Sequence, residues 1–199
     1  MALLTTQLAA AAGGMGWMTV EYLDKGKPTV LGIVSGSISG LVGITPACGF
    51  VDQTGGFVIG VITGISCYFG IQFKKILGAD DALDAFGIHG IGGMIGGMLT
   101  GLFANPKIAG CGAFYGCGDQ LGWQIAGILT VSSYSAVVTA IIMMGLKYTI
   151  GIRVSADDED MGLDASEHGW EGGASQIDSK KSPTFSPARS RFESQNGEG

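Results

Sequence analysis

Long apolar stretches separated by short polar ones occupy the first three quarters of the chain. Five of them reach the roughly 20 predominantly apolar residues that a helix needs to cross a bilayer. They cover about residues 3–22, 29–50, 57–77, 83–104 and 121–148. Charged or glycine-rich segments lie between them. The pattern predicts an all-α fold, a polytopic transmembrane helix bundle with five spans.

The apolar pattern ends near residue 152 and divides the chain into three parts. We predict a transmembrane region over 1–152, a cytoplasmic tail over 153–170 and a disordered tail over 171–199. The last part is rich in Ser, Gly and charge and is too poor in apolar residues to bury a core. An apolar segment begins almost at Met1 without the charged leader of a secretory signal. This start indicates a chain cut from something longer.

Composition and charge agree with a membrane protein and indicate its orientation. The chain is 46% hydrophobic and 14% charged, whereas soluble domains carry roughly 25% charged residues. The net charge of −6 argues against nucleic acid as a partner.

Short cytoplasmic loops carry the basic excess of a membrane protein. Alternating spans put most basic residues on one side and Lys107 on the other, so the C-terminus is predicted to be cytoplasmic. The basic side has Lys25, Lys27, Lys74, Lys75, Lys147 and Arg153.

Glycines recur at helical spacing in three of the predicted spans. The repeats are Gly32, Gly36 and Gly40; Gly60 and Gly64; and Gly92/Gly96, Gly93/Gly97 and Gly101. In lipid, helices associate through small residues that let their backbones approach closely. We therefore predict close-packing faces on at least three helices.

Four cysteines fall into two groups. Cys111 and Cys117 lie in the glycine-rich segment between the last two spans, which faces the exterior in the predicted orientation. An oxidising exterior permits a disulfide between them, and free thiols are the alternative. Cys48 and Cys67 lie in apolar spans and are predicted to be small core residues.

His89 and Asp84 lie at the start of the fourth span. A helix beginning at Leu83 would place His89 roughly 9 Å deeper along its axis. Ionisable groups inside a membrane are costly and usually functional, so the two residues are candidates for a conduction path. Alternatively, His89 is a core histidine bonded to a neighbouring carbonyl group. Asp84 either caps the helix or acts structurally or electrostatically at the mouth of the path, whereas capping alone explains Asp80 and Asp81.

Four separated motifs carry a resemblance to a known family. They are GKPTVLG at 26–32, SGSISGLVGITPACG at 35–49, DAFGIHG at 84–90, and GIRV at 151–154 followed by GLDASEHG at 162–169. The chain resembles the C-terminal half of the ammonium transporter (Amt/Mep/Rh) family over nearly all residues up to about Gly169. This resemblance implies homotrimers of eleven-helix protomers, of which the five spans look like helices seven to eleven.

The resemblance also implies roles for the site residues. His89 corresponds to the second of two stacked pore histidines, Asp84 to the aspartate before it, and Ser35 to the cytoplasmic end of the path, unless Ser35 only packs. The implied function is transport of ammonium, with its deprotonation and passage of ammonia past His89. No enzyme activity, catalytic residue, cofactor or metal site is predicted.

The family's first pore histidine, cation cage and phenylalanine gate belong to six helices that this chain lacks. We therefore expect the chain to assemble with that N-terminal half. The alternative is a nonconducting regulatory or interaction subunit, or an incomplete fragment, that associates with full-length trimers.

The resemblance implies that the tail over 153–170 is regulatory. In plant relatives a hydroxyl residue near the His-Gly pair is a phosphorylation switch, and Ser166 occupies that position beside Asp164, His168 and Gly169. A merely solvated serine is the alternative. The expected location is the plasma membrane, as a multi-pass protein.

Overall fold

The computed structural model describes residues 1–78, 81, 83–155, 158–159 and 162–163. Every regular element in these ranges is helical. The five α-helices are α1 (Ala2–Lys25), α2 (Val30–Ile44), α3 (Gln53–Leu77), α4 (Ile91–Phe103) and α5 (Asp119–Thr149). A π-turn, Phe86–Gly90, leads directly into α4, and a short 3₁₀ turn, Ala113–Tyr115, precedes α5. The chain divides into two compact units, Met1–Thr139 and Ala140–Gly199.

The helices occupy the five predicted spans. Three segments are long and apolar enough to cross a membrane by length and composition, namely Gln53–Lys74, Phe86–Phe103 and Asp119–Thr149. Helix α2 is apolar but shorter, with 15 residues. The last five residues of α1 include three charged ones, Glu21, Asp24 and Lys25. The prediction of an all-α bundle of membrane helices is confirmed.

Local chemistry sets the ends of α2 and differs from the predicted span of 29–50. The Thr29 hydroxyl accepts a hydrogen bond from the Gly32 amide at 2.9 Å, so Thr29 is the N-cap and Pro28 lies outside the helix. Helix α2 ends at Ile44, two residues before Pro46, because the ring nitrogen of proline cannot donate the next hydrogen bond of the helix. The chain continues through turns as far as Phe50.

Glycines of α1 lie in close contact with the backbones of α2 and α3. A methyl group added at Gly13 would lie 2.5 Å from the Gly36 carbonyl oxygen of α2. At Gly16 it would lie 2.7 Å from the Val61 carbonyl oxygen of α3. Helix α1 therefore packs on both helices at a distance that only glycine permits. The predicted glycine faces of α2 and α3 both pack against α1, whose own glycines were not part of the prediction.

Only one of the two glycine rows predicted on α4 faces the helices α2 and α3. A methyl group at Gly92 would meet Cys67 Sγ at 3.0 Å, and one at Gly96 would overlap the backbone of Gly43. At Gly93 it would meet no atom within 4 Å. The packing role predicted for Gly93 is therefore wrong in this chain, because a one-residue step rotates a side chain by about 100° around the helix.

A buried carboxylate connects the end of α1 to the start of α2. The side chain of Glu21 accepts hydrogen bonds from the Thr29 amide at 3.0 Å, the Thr29 hydroxyl at 3.1 Å and Lys25 Nζ at 3.1 Å. Glu21 is only 2% exposed. A buried charge is tolerated only when it is paired and hydrogen-bonded, as it is here. The same carboxylate thus holds the residue that caps α2.

The loop before α5 is tied by hydrogen bonds to the start of α3. Asn105 donates hydrogen bonds from its amide to the Phe50 carbonyl at 2.7 Å and from Nδ2 to the Tyr115 hydroxyl at 3.1 Å. Nδ2 also lies 3.3 Å from Asp52 Oδ2, and Asp52 caps α3. A disulfide joins Cys111 to Cys117, with their Cα atoms 5.7 Å apart. Cys48 and Cys67 are free thiols.

Candidate functional site

His89 lies in the π-turn that opens the fourth membrane helix. The Ile91 amide bonds to the Phe86 carbonyl five residues earlier, which is the hydrogen bond of a π-turn. The turn begins at Phe86, not at Leu83 as the predicted span did. His89 therefore lies nearer to the start of its helix than the 9 Å rise expected from the sequence. Such turns are rare and occur often at functional sites.

The carboxylate of Asp81 holds the start of this turn. Its two oxygens accept hydrogen bonds from the Ala85 amide at 2.8 Å and the Phe86 amide at 2.9 Å. These amides belong to the first turn of a helix and would otherwise lack a partner. Asp81 caps the helix as expected, while Asp80 lies outside the described residues.

Asp84 has a different environment from Asp81. Its backbone is left-handed, with a φ of 56°, which non-glycine residues seldom adopt. This conformation interrupts the helix and explains why α4 and its π-turn begin later than predicted. The Asp84 carboxylate forms an ion pair with Lys74 of α3. Lys74 Nζ also donates to the Asp81 carbonyl at 2.7 Å.

One side of the π-turn packs against α3, and this packing determines the side on which the His89 ring lies. A methyl group at Gly87 would lie 2.8 Å from the Ile71 Cα atom, and Cys67 Sγ donates to the Ile88 carbonyl at 3.6 Å. Gly87 and Ile88 are buried, whereas His89 is exposed. One side of the π-turn thus packs on α3 and the imidazole is on an open side.

Both imidazole nitrogens of His89 are available to a ligand. Among the described residues, no hydrogen bond engages the ring, so the alternative of a core histidine bonded to a carbonyl group does not match this geometry. A neutral imidazole offers one donor and one acceptor nitrogen. The site can therefore exchange hydrogen bonds or a proton with a small polar molecule.

The other predicted site residues are separated from the ring. Ser35 is half-buried on α2, where its carbonyl accepts a hydrogen bond from the Ser39 hydroxyl at 2.8 Å. Helix α2 contacts the π-turn. In the described part of the chain, no hydrogen bond joins Ser35 or Asp84 to His89. The predicted tail residues Ser166, Asp164, His168 and Gly169 lie outside the described residues.

Sequence reasoning did not connect Lys74 with the site. It treated the lysine only as an indicator of orientation, although Lys74 lies ten residues before Asp84 across a short connection. Opposite charges flanking such a connection are the signal that was available. The left-handed conformation of Asp84 had no signal in the sequence, because aspartate does not require it.

A family comparison places the whole helical region in one class of protein. The sequence model of the Ammonium Transporter Family matches residues 1–172. The chain belongs to this family. It is 46% identical over 170 residues to an ammonium transporter of Aquifex aeolicus and 45% identical over 172 residues to one of Bacillus subtilis. These matches cover 84% of this chain but 40% and 43% of the relatives. The chain thus spans about two fifths of their length.

Solved structures of transporters have the same arrangement of helices. The crystal structure of Mep2 from Saccharomyces cerevisiae matches with a TM-score of 0.74 and 40% identity, over 78% of this chain and 37% of that one. Mep2 from Candida albicans matches with a TM-score of 0.73 and 37% identity, over 79% and 37% of the two chains. The fold is therefore part of the ammonium transporter fold.

Proposed function

We propose that this chain is part of an ammonium transporter subunit and that His89 lines the path of the transported ammonia. The observation that carries the proposal is the open imidazole on a π-turn whose opposite side is packed on α3. Family membership supplies the substrate, since the relatives that the chain matches are named ammonium transporters. Asp84 and Ser35 would act at the cytoplasmic end of the same path.

The chemistry of the imidazole suits this substrate. Moving a bare ammonium ion through an apolar path would cost many kcal/mol in lost hydration, whereas neutral ammonia crosses far more easily. Ammonium that loses a proton at the mouth could pass as ammonia while exchanging hydrogen bonds with His89. A potassium ion has no proton to lose and would be rejected.

We further propose that the chain corresponds to the C-terminal half of its relatives and conducts only together with an N-terminal half, in a homotrimer. The exposure of His89 and of apolar side chains such as Leu31 and Leu129 supports this, because the rest of a transporter could cover them. The proposed location is the plasma membrane, with a cytoplasmic C-terminus. The second candidate is a nonconducting regulatory or interaction subunit, which would use the same exposed apolar side chains to associate with relatives' trimers.

Growth of cells that lack ammonium uptake tests the proposal. The chain alone should not restore growth on low ammonium. A fusion in which residues 1–172 replace the matching segment of the Bacillus subtilis transporter should restore it, and His89→Ala in that fusion should abolish it. The matched control is Lys27→Ala, which removes another ionisable side chain, from the exposed connection between α1 and α2, and should leave growth unchanged.

Each outcome of the growth assay has a distinct meaning. Growth with the chain alone would contradict the requirement for a second half. Undiminished transport in the His89→Ala fusion would contradict the role of the ring. If the fusion is inactive and the chain instead alters transport by a co-expressed relative, the nonconducting subunit is the better description.

For the tail, we propose that phosphorylation of Ser166 regulates transport. A phosphate adds about −1.5 to −2 charges beside Asp164 and Glu167, and the added repulsion would change the contacts that this acidic segment can make. His168 and Gly169 would belong to the same regulatory segment. Ser166→Asp should change the transport rate of the fusion, while Ser166→Ala should not respond to phosphorylation. Equal rates in both variants and the parent would end this idea.

A further inference from the structure

Lys74 contacts Asp81 and Asp84, which lie at the two ends of the short segment before the π-turn. Its ammonium group pairs with the Asp84 carboxylate and donates to the Asp81 carbonyl at 2.7 Å. The side chains of Lys74 and Asp84 are 28% and 30% exposed, so the pair is only partly screened by solvent. One side chain of α3 thus connects Asp81 and Asp84, the two described points on either side of this short segment.

The backbone conformation of Asp84 gives a reason for this connection. Asp84 is left-handed, a conformation that is unfavourable for residues with a Cβ atom and persists only where its surroundings favour it. An opposite charge beside a carboxylate that is only 30% exposed is screened less by solvent than one at a fully exposed site. The ion pair with Lys74 therefore favours the conformation that ends the loop and begins the turn.

The position of Asp84 is transmitted directly to the residue before His89. The Asp84 carbonyl accepts a hydrogen bond from the Ile88 amide at 2.9 Å. The Asp81 side chain, in turn, holds the amides of Ala85 and Phe86. A shift of Asp81 or Asp84 would therefore move the turn at both its beginning and its end.

From these contacts we infer that Lys74 is a positioning residue for His89, acting through Asp84 and Asp81. The importance of this role for transport rests on the proposed function, but the role itself is a structural property of the chain. Within the part of the chain that the structure describes, no hydrogen bond or ion pair joins Lys74 to the imidazole. Lys74 sets the direction in which the π-turn presents the ring.

Nuclear magnetic resonance of the full chain in lipid nanodiscs tests the inference without a transport assay. The chain has two histidines, so His168→Asn leaves His89 as the only labelled imidazole. In that background, Lys74→Met should shift the His89 ring signal and speed hydrogen exchange of the Ile88 amide by about tenfold. Lys74→Arg, which keeps the positive charge, should stay close to the parent. Lys27→Met is the matched control on an exposed lysine and should change neither.

A second variant keeps the test decisive if Lys74→Met fails to fold. Asp84→Asn removes the charge, and asparagine tolerates the left-handed conformation. It should produce the same shift as Lys74→Met, and the double variant should add nothing beyond either single change. An unchanged ring signal and unchanged Ile88 exchange in Lys74→Met or in Asp84→Asn would overturn the inference.

Transport by the fusion separates the two proposals. Lys74→Met should lower the rate about tenfold and Lys74→Arg should restore most of it. If the unmodified fusion does not transport, the proposed function fails, yet the resonance measurements still decide whether Lys74 positions the ring.

Discussion

At the scale of single residues, a few polar side chains determine where helices begin and how they are joined. Thr29, Asp52 and Asp81 each accept hydrogen bonds from free amides at a helix start. Glu21 adds a second layer, because its carboxylate holds Thr29 while Thr29 caps α2. Apolar burial contributes little to helix association in lipid, so such directed contacts carry more of the specificity.

Replacement of Glu21 should therefore destabilise the junction between α1 and α2. Glu21→Ala removes the acceptor of the Thr29 amide and is expected to lower the free energy of unfolding by about 2 kcal/mol. Lys25→Met removes only the exposed partner and should lower it by less than about 1 kcal/mol. Thermal unfolding in detergent, followed by tryptophan fluorescence, measures both. A larger loss from Lys25→Met than from Glu21→Ala would contradict the assigned role.

At the scale of secondary-structure elements, glycine placement decides which helix faces approach each other. Helix α1 meets α2 and α3 through Gly13 and Gly16, and α4 meets α2 through Gly96. The neighbouring Gly93 faces open space in this chain. Two glycines of one helix thus have opposite surroundings, although the sequence presents them as equivalent.

This contrast predicts different effects of the same substitution on α4. Gly96→Ala forces the added methyl group into the backbone of Gly43 and should lower stability by about 2 kcal/mol, as overpacking does. Gly93→Ala should change stability by less than about 1 kcal/mol. Unfolding of the two variants in the same detergent is the measurement. Equal losses would mean that the two faces do not differ as described.

The loop before α5 supplies a second prediction at this scale. The disulfide closes a segment with a sequence separation of six between Cys111 and Cys117. Removing it with Cys111→Ser and Cys117→Ser together should lower stability by about 2 kcal/mol through the entropy of the unfolded chain. Wild type measured with a reducing agent should match the double variant. A stability unchanged by both treatments would contradict a stabilising role for the disulfide.

At the scale of the whole molecule, many large apolar side chains on the helices are exposed, more than is usual in a soluble protein. Helix α5 has no buried residue along its 31 residues. Large exposed apolar surfaces indicate contact with lipid or with another protein. Membership of a transporter family and three helices long and apolar enough to cross a membrane agree with contact with lipid.

Orientation in the membrane can be tested on the whole chain. The basic loops predict that the segment with Cys111 and Cys117 is external and that the C-terminus is cytoplasmic. In a background with Cys48→Ser and Cys67→Ser, an impermeant maleimide should label the two loop cysteines of intact cells after mild reduction. A C-terminal epitope should be detected only after permeabilisation. Labelling that also requires permeabilisation would reverse the orientation.

Much of the helical architecture was predictable from the sequence because a membrane helix satisfies its backbone hydrogen bonds within one segment. Its existence therefore depends on a local run of apolar residues, and all five predicted spans contain a helix. The boundaries were less accurate. Pro46 ended α2 early, and the left-handed Asp84 delayed the start of the fourth helix.

The sequence by itself thus determined the number and approximate places of the helices, the family, and His89 as a candidate, since these depend on local composition and motif order. Only the tertiary structure decided that Gly96 packs while Gly93 does not, that Lys74 pairs with Asp84, and that the His89 ring is on an open side. These features depend on how each helix is rotated against its neighbours. The rotation of each helix about its axis depends on contacts between residues far apart in the chain, and a local sequence pattern does not contain this information.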